Sequence, residues 1–464
     1  MSDVPQEQSG SLHHRDEVPA ELEAGRPKRR TSRRVLLAVA IFLTVLVVVV
    51  IGGLVALQQK TRTLQKRWDD KLAELRKKGE PVSMAELAPP ALPDDQNAAV
   101  LHEQAFKLLE DIPRGTDSRL NELLPRKGAV PKAVDLAEAR KLLESCKPAL
   151  DLVRRGTLRP KCRFKRDYNA VPPVLLLTLM SGTSRTGGFL DYDCRMNLVE
   201  GRPDDAVADC VTMLRVADGL KDEPLLVDQL VRIAVIDRGT DALQRVLDRS
   251  EPGAAALTEA AGVLKRLDSR ESLVWTVRGE RCYGIALIRQ ALEDPAKFLQ
   301  NIGTKGHWTR LTALSARPLF LADGADYLDR MGRLQDLVAK PYYQNHEILQ
   351  QWEDQIAQEQ EDTAHIFTGK TLLWISKIPL TYDRSLAGIG NARLAIALRL
   401  YRMKHGQYPD ALAALVPDFI EKLPTDPFSG KDFIYRRDGN GFVLESVGDD
   451  DQTYTEWKTW KCSR

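Results

Sequence analysis

Histidine is scarce in this chain, with seven in 464 residues, and none of the seven has the spacing of a metal-binding pair. His346-Glu347 is not followed by a second histidine three residues on, so the zinc-protease motif is excluded. His13, His14, His102, His307, His346, His365 and His405 are accordingly read as surface or helix-capping residues. None of the six cysteines lies in a Cys-x-x-Cys pair, which removes a structural zinc site and a thioredoxin-like redox motif. Charge of either sign is not in surplus. The 67 basic and 65 acidic residues leave +2, with no Lys/Arg stripe interleaved with aromatics, so nucleic acid is excluded as a partner.

Motifs for covalent chemistry are missing too. Met180 to Gly188 resembles a nucleophile elbow or a phosphate loop only in its glycines and serines. Thr186 stands where the elbow needs glycine, no strand precedes it, and no Gly-Lys-Ser/Thr follows, so a flexible turn between helices is expected there. Glu280, Arg281 and Arg289 share a helix with Trp275 and Tyr283, and this mixed charge is expected to be a solvated face. No residue is thereby named as base, nucleophile or cofactor ligand. Before about residue 430 no run alternates as a strand, and the fold class is mainly α.

One long hydrophobic run is present. Val35 to Leu57 holds twenty-three residues without a charge. At about 1.5 Å per residue it makes roughly 35 Å of helix, enough for a bilayer core of about 30 Å. It is too long for a signal-peptide core, and Leu54 is bulky where a cleavage site needs a small residue. Arg26, Lys28, Arg29, Arg30, Arg33 and Arg34 precede it, while Lys60, Arg62, Lys66, Arg67 and Lys71 follow. Six against five, with the N-terminal cluster abutting the membrane, favours an N-terminus inside. The expectation is a single-pass protein of a bacterial inner (cytoplasmic) membrane, with a disordered cytoplasmic tail over 1–34, the anchor at 35–57, a charged helical stalk over 58–80, and the bulk of the chain exported.

Behind the anchor, Pro and Gly clusters separate helix after helix. Asp94 and Asp95 suit the N-cap of a helix to about Glu110 that buries Ala98, Leu101, Ala105 and Leu108. Further helices are expected near 133–155, 171–185, 188–200, 204–220, 223–249, 254–267, 270–297, 310–338 and 343–362, giving an all-α domain over 94–380. Gly201-Arg202-Pro203 is a helix stop followed by a helix start, midway between Cys194 and Cys210. Two helices folding back there bring these thiols level, either as a disulfide, which an exported chain can form, or as two small buried hydrophobes. Leu190, Cys194, Leu198, Gly201, Asp204, Asp205 and Ala206 carry a resemblance of residues 188–220 to a tetratricopeptide-type hairpin. The neighbouring segments do not share its period, so the body is read as an irregular, solenoid-like stack of helical hairpins.

From 385 to 464 the reading is a small α+β module. A helix to His405 ends at Gly406, well placed as a left-handed cap, and Tyr408-Pro409 prevents continuation. Phe433 to Arg436 and Phe442 to Ser446 flank Asp438-Gly439-Asn440-Gly441, a hairpin signal. The ordered set His405-Gly406-Gln407-Tyr408-Pro409, Leu423-Pro424-Thr425-Asp426-Pro427-Phe428, Phe433-Ile434-Tyr435-Arg436 and Ser446-Val447-Gly448-Asp449-Asp450 resembles the C-terminal globular part of type II secretion major pseudopilins. That resemblance implies calcium as a ligand of the loop after the last strand, with Asp449, Asp450 and Asp451 as candidates; the alternative is a solvated acidic turn. A pseudopilin's processing site and early glutamate are absent around Val35, and more than 300 residues separate the anchor from the module. The expected role is interaction or scaffolding with other envelope proteins; an accessory part of a secretion or pilus-like system and an exported hydrolase are the alternatives.

Overall fold

The computed structural model describes residues 30–126, 133–168, 174–301, 316–359, 367–368, 372, 375–448 and 459–463. The chain falls into two compact units, Met1–Lys60 and Thr61–Arg464. Helix α1 (Arg30–Lys77) supplies all that is described of the first. Its apolar side chains from Val35 to Leu57 are all exposed, Phe42 at 67% and Leu36 at 65%. The single hydroxyl in this run, on Thr44, donates to Ala40 O at 2.8 Å, so it demands no water. Among the described residues this one helix is long and apolar enough to cross a membrane.

The second unit is mainly helical. It contains α2 (Ala98–Glu110), α3 (Thr116–Leu123), α4 (Ala133–Gly156), α5 (Val174–Val199), α6 (Pro203–Gly219), α7 (Leu226–Arg249) and α8 (Ala254–Leu267). There follow α9 (Glu271–Glu293), α10 (Pro295–Asn301), α11 (Arg317–Val338), α12 (His346–Glu359) and α13 (Ile378–His405). Helix α2 begins later than expected. Its N-cap is Asn97, whose side chain accepts from Ala99 N at 3.1 Å, while Asp94 and Asp95 form a short 3-10 turn before it. Its buried face is correspondingly rotated to His102, Ala105, Phe106 and Leu109, and Leu108 is left exposed.

The stretch expected as a turn near Met180 to Gly188 lies inside the unbroken helix α5. Glycine there is needed for contact. A Cβ on Gly182 would sit 2.4 Å from the Phe106 ring of α2, and one on Gly188 would sit 3.0 Å from the Arg238 guanidinium of α7. Thr186 Oγ1 donates back to Gly182 O at 2.8 Å, which satisfies its buried hydroxyl. Each helical glycine costs about 1 kcal/mol against alanine, and the close packing of α2 and α7 on this face offsets it. Gly201, at φ 71°, does end α5, and Pro203 with Asp204 and Asp205 starts α6 as read from the sequence.

Two clusters of buried apolar side chains divide the unit. The first joins α2 to α8 with α13 and the C-terminal sheet. The second gathers α9, α11 and α12 around Phe320, Tyr327 and Met331, and takes in Trp68 and Leu72 from the last turns of α1. Residues 61–77 therefore form no free stalk. Trp68 is 2% exposed because Gly324 of α11 leaves room for its ring, and Arg67 and Lys71 both pair with Asp329.

At the C-terminal end, α13 is capped by Gly406 at φ 77°. Strands β1 (Ile434–Asp438) and β2 (Gly441–Glu445) form an antiparallel hairpin around Gly439-Asn440, with Arg436 opposite Val443. A third strand, β3 (Thr459–Cys462), pairs antiparallel with β2 and places Trp460 opposite Leu444. Asp426, 1% exposed, ties the preceding link together. It accepts from Phe428 N at 3.0 Å, Ser429 Oγ at 3.1 Å, Ser446 Oγ at 2.8 Å and Val447 N at 3.1 Å. The Thr425-Asp426-Pro427-Phe428 motif thus has a structural use in this chain.

Candidate functional site

A cavity of about 610 Å³ opens where α9 begins. The chain reaches α9 through Ser269 and Arg270, whose Oγ and carbonyl hold the first turn: Glu271 N donates to Ser269 Oγ at 3.2 Å and Leu273 N to Arg270 O at 3.1 Å. The N-cap residue itself adds no side-chain bond, and Glu271 in the first turn offsets part of the positive dipole that this end turns to the cavity. Five cations line the walls: Lys221, Arg232, Arg266, Arg270 and Arg278. Two anions, Asp222 and Glu271, accompany them. Trp275 closes one side, its indole nitrogen donating to Asp222 O at 2.8 Å.

Four of the five cations have carboxylates. Lys221 and Arg266 share Asp218 at 3.3 and 3.1 Å, Arg270 pairs with Asp383, and Arg278 pairs with Glu80 at 3.0 Å. Arg232 differs. It is 2% exposed, and its Nη1 donates to Tyr382 Oη at 3.0 Å and Ser272 Oγ at 3.2 Å. Tyr382 in turn donates to Ser269 O at 2.6 Å, which fixes both hydroxyls as acceptors toward the guanidinium. No carboxylate among the described residues forms an ion pair with Arg232, and its Nε is buried without a partner. A guanidinium cannot discharge itself by losing a proton.

A second groove, lined by Arg140, Arg154, Arg202, Asp193 and Asp209, is electrostatically closed. Arg154 Nη2 contacts Asp193 at 2.5 Å and Asp209 at 2.7 Å, and Asn197 donates to Asp209 at 2.8 Å. Burial, then the Asp193 charge, raise the Asp209 pKa to about 7. These two carboxylates are a pair from different helices, but both are held on one guanidinium.

Cys194 and Cys210 are brought together as the hairpin reading expects, buried with Sγ atoms 3.7 Å apart, and both are free thiols. The bond to Cys210 and burial push the Cys194 thiol well above its ordinary range, which keeps it protonated and a poor nucleophile. Asp449, Asp450 and Asp451 lie outside the described residues, as do His13, His14, His307 and His365. Among the described residues no group of three or more His, Cys, Asp and Glu is placed to hold a metal. His102 is a correction to its surface reading: it is 2% exposed between α2 and α4, and burial lowers its pKa to about 4. The expected solvated face on α9 is likewise overturned. Glu280 and Arg281 are 8% and 1% exposed, with Arg281 bound to Glu80 at 2.6 Å and Gln335 at 2.9 Å.

Arg232 itself escaped the sequence reading. Its signal is legible in retrospect as one cation inside the run Val231-Arg232-Ile233-Ala234-Val235-Ile236, where helical spacing alone gives no reason for a charge. No family model matches the chain, and no curated protein or solved structure matches it.

Proposed function

We propose that this chain is a single-pass membrane protein of the bacterial envelope whose helical body is an interaction and scaffolding platform. The observation that carries this reading is the contrast within α1: twenty-three consecutive uncharged residues with every large apolar side chain exposed, followed by turns whose Trp68 and Leu72 are buried. An exposed apolar surface of that length is stable in lipid and unstable in water. The N-terminus inside, with Thr61 onward exported, is the orientation the flanking basic residues favour. The pseudopilin-like reading of the C-terminal region is supported by the order of α13, the hairpin and β3. Pilus assembly is disfavoured because α13 is buried against α7 and α8 along most of its length, leaving no free face for a filament.

Carbonate extraction of membranes and a C-terminal reporter test this reading. The expected outcome is a protein that stays in the pellet, becomes soluble when residues 35–57 are removed, and carries a reporter active only outside the cytoplasm. A full-length chain released by carbonate, or a reporter active in the cytoplasm, would overturn it.

A further inference from the structure

We propose that the cavity at the start of α9 is a binding site for a phosphate-class oxyanion, with Arg232 as the charge that receives it. The position of Arg232 is costly without one. Burying an ion away from water carries a penalty of several kcal/mol, which a neutral hydroxyl pair repays only in part. The carboxylates of the lining, Asp222 and Glu271, and Asp383 on Arg270 form no ion pair with Arg232, which meets the N-terminal end of α9. The arrangement is unfavourable when empty and complementary to an oxyanion: a guanidinium with no carboxylate partner, a helix N-terminus, and Arg270, which has one nitrogen on Asp383 and Nη1 without a partner.

The lining explains selectivity as well as charge. Ser272 and Tyr382 occupy Nη1 of Arg232 and hold the planar group in one orientation at the cavity wall. Lys221 is exposed and lines the same cavity, with its ammonium on Asp218. The volume of about 610 Å³ exceeds what inorganic phosphate fills, and Trp275 offers a flat apolar wall. The ligand class is therefore a phosphate group carried on a small organic body. This inference does not depend on membrane insertion, since every lining residue lies in the second unit.

The shared chemistry is a phosphate group from a soluble molecule or from a lipid headgroup, and one experiment separates the two. Full-length protein is placed in nanodiscs of phosphatidylcholine, with or without phosphatidic acid, and melted with and without inorganic pyrophosphate. Arg232→Met and Arg232→Lys are measured beside the wild type, with circular dichroism to establish folding. The wild type is expected to melt higher with pyrophosphate, assigning a soluble ligand, or only in the phosphatidic acid discs, assigning a lipid headgroup. Arg232→Met is expected to melt higher than wild type without ligand and to lose the response. Arg232→Lys is expected to fold normally and bind at least about tenfold more weakly, because it lacks the fork. A wild type that responds to neither phosphate source, or an Arg232→Met protein that responds equally, would overturn the proposal.

Discussion

Arg232 and Arg399 are two nearly identical side chains in opposite settings. Both are buried, at 2% and 3% exposure, and each donates from Nη1 to a tyrosine hydroxyl, Tyr382 at 3.0 Å and Tyr408 at 3.2 Å. Neither forms an ion pair with a carboxylate among the described residues. They differ in which end of a helix they meet. Arg399 donates from Nη2 to Ser250 O, the C-cap carbonyl of α7, where the dipole is negative. Arg232 meets the start of α9, where the dipole is positive, and keeps an unpartnered Nε. A buried arginine is thus no ligand signal by itself. The sign of the backbone field beside it separates an arginine that completes the fold from one that awaits an anion.

The comparison is broken most severely at Arg399. Arg399→Met removes the partner of a part-buried carbonyl and is expected to cost about 2–3 kcal/mol in urea unfolding; a neutral result would mean that the helix end does not hold the charge. Glu280 provides the carboxylate counterpart of Arg232. It is buried without a cation, its Oε1 accepts from Leu226 N at 2.7 Å, and burial raises its pKa from 4.5 to about 7. A carboxylate can take up a proton where arginine cannot lose one. Because the folded state binds that proton more tightly than the unfolded chain, stability falls as pH rises from about 4.5 to 7. Glu280→Gln keeps the acceptor without the charge and is expected to gain about 3 kcal/mol at pH 8 and nothing near pH 4.5, read from unfolding at both values. An equal effect at both would refute the ionisation argument.

Smaller effects calibrate the scale. Arg232→Met should raise the unliganded stability by about 1 kcal/mol, the opposite sign to Arg399→Met, since an unpaired buried ion gives way to an apolar side chain of similar length. Lys265 and Glu421 form an ion pair with both side chains mostly exposed, at 64% and 76%. Lys265→Ala is expected to change stability by less than about 0.5 kcal/mol. A larger loss there would show that surface charge contributes more to this protein than burial arguments allow.

Much of the helical order was legible from local signals. Gly201-Arg202-Pro203, the Gly406 cap and the Gly439-Asn440 hairpin each act within a few residues, and each is where the sequence places it. The misses share a cause in distant partners. The glycines of α5 look like breakers until Phe106 and Arg238 are seen against them. Glu280 and Arg281 look solvated until Leu226, Glu80 and Gln335 supply their bonds. Strand β3 lacks a pattern of its own and exists because β2 offers it an edge. The cavity was invisible for the same reason, as Arg232, Arg270 and Tyr382 come from three separated segments.

The pairing of β3 also sets a schedule. Cys462 Sγ bonds Leu247 O at 3.5 Å and Ser463 N bonds Asp248 at 3.0 Å, so α7 is matched with residues 215 positions later. At a synthesis rate of about 5–20 residues per second, the apolar flank of α7 waits on the order of 10–40 s for its cover. Contacts this distant in sequence slow the closing of a core. A nascent chain of this protein therefore carries α7 without its C-terminal cover while 215 of its 464 residues, nearly half, are still to be made.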